Sequence, residues 1–199
     1  MTSTRDSFFS RRSFLQNGAL LSGMTIFPSF AIDPQDDNAL LLHEVKLLEV
    51  MAESTFKQLW TNLGGITESE LDWKPNNESN STRWVIGHLY WFEEWLADTL
   101  DKKGRYLTDK KPMSIQDISF EEVKKRFEIA RTRVAEASIS LTPDQLKSEI
   151  NYVGRFDLPI RELLQVHVLH MAGHRYQIRY VRGTYSRVHH SNKADFDPW

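Results

Sequence analysis

Three histidines, His167, His170 and His174, stand at spacings of three and four within IRELLQVHVLHMAGHRYQIRYVRG, residues 160 to 183. In a helix these spacings place all three imidazoles on one stripe, near the apolar Leu163, Leu164 and Ile178 of the inward side. Inward-facing imidazoles admit two readings. Two rings one turn apart converge on a divalent metal that takes a third ligand from another segment. Alternatively the rings form a polar layer, hydrogen-bonded to Tyr, Glu or water inside a bundle. On the metal reading the third ligand is His88, the one internal histidine in a strong core pattern outside this helix. A His88, His170, His174 triad leaves one or more positions for water or substrate, as in catalytic rather than closed structural sites. The chain has no cysteine, which excludes disulfides, thiolate ligation and a nucleophilic protein thiol. Imidazole with carboxylate or water suits Zn, Ni, Fe, Mn or Co without choosing among them.

Helices must position these rings. The spacing of Leu42, Val45, Leu48, Ala52, Phe56 and Leu59 predicts a first helix from Ala39 or Leu40 to Leu63, stopped by Gly64-Gly65, with 32–38 as a linker. His43 falls on its exposed side or at a cleft rim. The second helix opens at Asn80 or Ser81 and runs toward Gly104, with Trp84, His88, Trp91 and Trp95 near one face and Glu93, Glu94 and Asp98 directed to solvent or behind the histidines. Ser119 with Glu122 starts a third helix, Phe120 to Ala137, which carries no chemistry. Leu141-Thr142-Pro143 starts a single turn, and Tyr152-Val153-Gly154 reads as turn or extended chain. Asp157 then caps the fourth helix, with Pro159 in its first turn. Four amphipathic segments without a strand alternation predict an all-α four-helix bundle over residues 32–183, followed by an irregular tail, 184–199, that holds His189-His190.

Residues 1–31 read as an address rather than part of the fold. Ser10-Arg11-Arg12-Ser13-Phe14-Leu15, a weakly apolar run to Phe27 and the small-x-small Ser29-Phe30-Ala31 resemble a twin-arginine export signal, with Gln16 where the pattern usually has Lys. That places the protein in the periplasm or another extracytoplasmic compartment, exported already folded. The apolar run is too short and too polar to span a membrane. The net charge is -2 for the whole chain. It becomes -4 after removal of the leader, which takes away Arg5, Arg11, Arg12 and Asp6. Neither value supplies the basic surface that nucleic acid or anionic lipid requires.

Arg83-Trp84-Val85-Ile86-Gly87-His88-Leu89, the run from His167 to Gln177, and the Leu71-Asp72-Trp73-Lys74-Pro75 loop resemble the DinB-like family of metal-binding four-helix bundles, over residues 39 to 183. The resemblance implies a divalent metal, Zn or Ni first among the candidates, on His88, His170 and His174, and a homodimer. His167 is expected as a supporting donor or cleft wall. Tyr176, where the family commonly has glycine, adds a bulky hydroxyl-bearing ring beside the triad. Trp91, Trp95 and Tyr176 are expected to line the apolar part of the cleft, and Arg175 to pair with a carboxylate of the second helix. Characterised relatives are metal-dependent transferases that join a low-molecular-weight thiol to an electrophile, and mycothiol-dependent isomerases. The resemblance therefore implies a small-molecule thiol transferase, with a metal-dependent hydrolase or a non-catalytic metal-binding envelope protein as alternatives.

Overall fold

A computed structural model describes residues 34–101, 118–152 and 154–189. The expected leader, most of the loop before Ser119 and residues 190–199 lie outside them. The elements in order are α1 (Pro34–Asn62), α2 (Glu68–Asp72), α3 (Thr82–Asp101), α4 (Phe120–Ser140), α5 (Pro143–Lys147), β1 (Glu149–Tyr152), β2 (Phe156–Pro159) and α6 (Ile160–His189). The four long helices α1, α3, α4 and α6 form the predicted bundle. None of the described helices is long and apolar enough to cross a membrane.

The punctuation follows side-chain chemistry. α1 starts at Pro34, inside the segment read as a linker, because proline's missing N–H costs nothing at a first helical position. It ends before Gly65, whose φ of 67° is the left-handed conformation glycine adopts freely. Arg182 of α6 covers that end, donating to the Asn62 and Gly64 carbonyls and binding Glu70 at 2.6 Å. The Ser81 hydroxyl accepts from the Trp84 N–H at the start of α3, and Ser119 caps α4 through the Glu122 N–H. Thr142 and Gln145 form a reciprocal capping box on α5.

Two expectations about the last helix are corrected. Asp157 does not cap it. The strands 149–152 and 156–159 pair antiparallel, so that Asn151 faces Asp157 and bonds to it at 2.8 Å. The Ile160 N–H donates to the Ser148 carbonyl instead. Nor does Gly183 end the helix, which continues six residues into the segment read as an irregular tail. Those added turns carry Tyr185 against Trp73, with ring centroids 5.5 Å apart, and this packing outweighs the local cost of glycine.

Inside, two apolar clusters fill the bundle. One gathers Val45, Phe92, Trp95, Leu96, Val134, Ile150 and Leu164 with the hairpin and α5. The other gathers Phe56, Leu59, Leu71, Ile86, Leu89, Phe127, Met171 and Ile178. Near their boundary each long helix supplies one polar residue: Glu49, Glu93, Arg131 and His167. Arg131 is 3% exposed and donates to Glu49 at 2.6 Å, while its Nε and Nη1 find no protein partner among the described residues. Removing the carboxylate leaves a buried charge uncompensated, so Glu49→Ala is expected to cost about 3 kcal/mol. The double variant Glu49→Leu/Arg131→Met is expected to fall within about 1 kcal/mol of wild type. Urea denaturation of the three proteins checks both values.

Candidate metal centre

His88 sits in the second turn of α3, and His170 and His174 lie one turn apart on α6. All three are half-buried at the seam between these helices. Their available ring nitrogens lie within 4.8 Å of one another. His170 Nε2 stands 3.0 Å from His88 Nε2 and 3.2 Å from His174 Nε2. Three nitrogens bound to one tetrahedral zinc at 2.0–2.1 Å would stand about 3.3 Å apart, so the spacing suits a single small cation.

Hydrogen bonding among the rings cannot account for this packing as well. His174 Nδ1–H donates to Gln177 Oε1 at 2.8 Å, which leaves the His174 Nε2 lone pair turned toward His170. A proton on His170 Nε2 can point at one neighbouring ring but not at both. A cation satisfies all three lone pairs together. Burial holds His170 far below the ordinary histidine range, at about 3, with His174, His88 and His167 adding to the shift. Burial and then His174 lower His88 as well. Neutral imidazole is the form that binds metal.

His167 stands apart from the cluster and realises the other sequence reading, the hydrogen-bonded histidine. Its Nε2–H donates to Glu93 Oε1 at 2.6 Å, and both residues are 1% exposed. Phe92 lies between this pair and the site, its ring centroid 4.4 Å from His170 and 6.2 Å from His167. Glu93 Oε2 and His170 Nδ1 are buried without a partner among the described residues.

The remaining expectations divide. Trp91 keeps its place beside the site, 6.2 Å from His88 and nearly parallel to it. Trp95 is a core residue packed with Phe92 and Tyr152. Tyr176 is turned away and exposed, because two positions beyond His174 a helix has rotated by about 200°. Arg175 lies over the Tyr176 ring at 4.5 Å. The arginine that reaches carboxylates at this end of α3 is Arg83, held by Glu68 and Asp72. His43 and His189 are exposed, and His189 stacks on Tyr185. Trp84, expected inward, is 49% exposed and stacks on His88 at 5.3 Å and 13°. Two supporting residues had weak signals in the sequence. Gln177 carried only its i, i+3 spacing from His174, and Glu93 was undecided between solvent and the space behind the histidines.

A family model described as the DinB superfamily matches residues 51–178, a span that includes all three histidines of the cluster. No curated protein matches the chain. Among solved structures, the crystal structure of a DinB-like protein from Bacillus subtilis is similar, with a TM-score of 0.52 and 18% identity, covering 72% of this chain and 92% of that one. At that identity the likeness shows the fold. With more than half its length matched and the same bundle built around the seam, the chain belongs to the DinB superfamily.

Proposed function

We propose that His88, His170 and His174 hold a divalent metal and that the protein is a metal-dependent enzyme acting on a small molecule, best read as a transferase for a low-molecular-weight thiol. The observation that carries this reading is the convergence of three Nε2 atoms on one point, in a group that numbers three among the described residues. Three protein ligands leave coordination positions for an exchangeable molecule. A metal there would lower the pKa of a bound thiol and make it a nucleophile at neutral pH, supplying what a cysteine-free chain lacks. The chain's own part is to hold His88 and His170 neutral by burial, to orient His174 through Gln177, and to place the seam beside Trp84 and Trp91. The same donor set would serve a hydrolase with bound water as the nucleophile, which turnover of thiol-free substrates would reveal. The Arg11-Arg12 leader supports export of the folded protein, and its processing is read by N-terminal sequencing of the envelope fraction. A homodimer is part of this proposal and is read by light scattering.

Zinc or nickel added to chelator-stripped protein is expected to raise its melting temperature with increasing metal concentration, as linkage requires for a ligand of the native state. His88→Ala is expected to abolish that rise. Gln177→Leu is expected to retain it while weakening metal affinity about 10-fold. An unchanged melting temperature in wild-type protein would remove the metal reading.

The metal-free chain carries a defined pH signature. In the unfolded state the His170 ring gains its proton near pH 6.5, whereas in the folded state it does so only near 3. The unfolded chain therefore binds more protons between those values, and stability falls as pH drops through that window. From pH 7 to pH 4 this one ring accounts for a loss on the order of 3 kcal/mol. Denaturant titrations at several pH values are expected to show that slope in wild-type protein and a shallower one in His170→Gln.

A further inference from the structure

Gly173 lies within a 30-residue helix, between two residues of the triad. Glycine in a helix interior costs about 1 kcal/mol relative to alanine. Nothing nearby requires it, since a Cβ built at this position meets no atom within 4 Å among the described residues. At about 100° per residue, position 173 lies about 60° from His170 toward solvent, while the buried Met171 lies about 100° the other way. A side chain at 173 would therefore stand at the outer edge of the triad. Its absence leaves that space open.

Across the seam, Trp84 lies parallel to His88 with half of its surface in water. Trp91 continues the row on the other side of His88. The α6 border of the same opening carries Val166, Gly173, Gln177 and Tyr180, with no formal charge between Glu162 and Arg187 on that side of the helix. Tyr180 is 62% exposed. Arg175 and Arg179 fall about 140° and 180° around the helix from His170, away from the opening. The border of the triad is thus aromatic and aliphatic, flat on the α3 side, and uncharged on the α6 side.

We propose that the opening between Trp84 and Gly173 is a cradle for an uncharged molecule that carries a flat apolar ring. The ring stacks on the part of the Trp84 indole left exposed among the described residues and passes over the backbone of Gly173, so that its reactive group meets the triad. This deepens the functional reading given above and rests on it: the ring belongs to the partner on which the metal-held nucleophile acts. Stacking on an exposed indole favours a planar ligand, and the uncharged border gives no ion pair to either a carboxylate or an ammonium group.

The test is calorimetric titration of zinc-loaded and chelator-stripped full chain with 2-naphthalenemethanol, beside its carboxylate and ammonium congeners. The neutral probe is expected to bind both forms. Trp84→Ala and Gly173→Leu are each expected to weaken it at least 10-fold and Trp84→Phe less than 3-fold, while Gly173→Leu leaves the melting temperature unchanged or raised. The charged congeners are expected to bind the stripped protein at least 10-fold more weakly. The cradle is overturned if wild-type protein takes up zinc but not the probe, if Trp84→Ala and Gly173→Leu bind the probe like wild type, or if a charged congener binds the stripped protein as tightly. It is also overturned if wild type is a dimer that these two variants convert to monomers, since the face would then be a contact between copies. Probe binding without zinc uptake would sustain the cradle and remove the metal reading instead.

Discussion

The hydrogen bond from His167 to Glu93 ties the two site-bearing helices together at a depth where neither group can exchange its partner for water. Leu, Ile and Phe side chains tolerate sliding, because one apolar neighbour serves nearly as well as another. A buried carboxylate does not. Shifting α6 along α3 by one helical turn, about 5.4 Å, would strand Glu93 in an apolar environment, and an unpaired buried ionisable group costs several kcal/mol. The pair therefore sets a register, and in that register His88 falls opposite His170 and His174. On the other side of the bundle Arg131 and Glu49 place the same constraint on α1 and α4. Each long helix thus has one position that cannot slide, near the boundary of the two apolar clusters that supply the bulk of the burial.

Much of this was legible from side-chain periodicity. The four long helices, the Ser81 and Ser119 caps and the glycine stop after α1 rest on local chemistry that a single sequence carries. That His88, His170 and His174 stand together was legible too, because HxxxH on one helix and a single well-placed histidine on another leave few other combinations. The misreadings concern residues whose state is decided by partners distant in the chain. Asp157 has the chemistry of a helix cap, but Asn151 across a hairpin claims it. Gly183 has the chemistry of a helix stop, yet Trp73, more than one hundred positions earlier, holds the following turns in place. Glu93 stands open in its own helix between solvent and the space behind the histidines, and only His167 on α6 decides for the second.

Trp84 and Tyr176 are instructive in a different way. Both are large rings close in sequence to a triad histidine; the inward row of the second helix places Trp84 near the cleft, and the family resemblance places Tyr176 there. Two residues beyond His174, Tyr176 is carried around to the far side of the helix. Trp84, four residues before His88, remains on the same side and stacks on it. The i, i+4 relation is what brings two side chains together on a helix, and proximity in sequence without it is not enough.

Several features around the seam are costs that a bundle built only for stability would not carry. Three imidazoles crowd their ring nitrogens together, His170 Nδ1 is buried without a partner among the described residues, Gly173 weakens the helix without improving its packing, and Trp84 stays half in water. Each could be relieved by one substitution to an aliphatic or smaller residue. They coincide within two turns of α6 and the facing turns of α3, not scattered through the fold; under the proposals above a cation would offset the crowded ring nitrogens, and a flat ring the indole and the glycine. Destabilising features that converge on one place point to a functional constraint there, since a fold selected for stability alone would have relieved them.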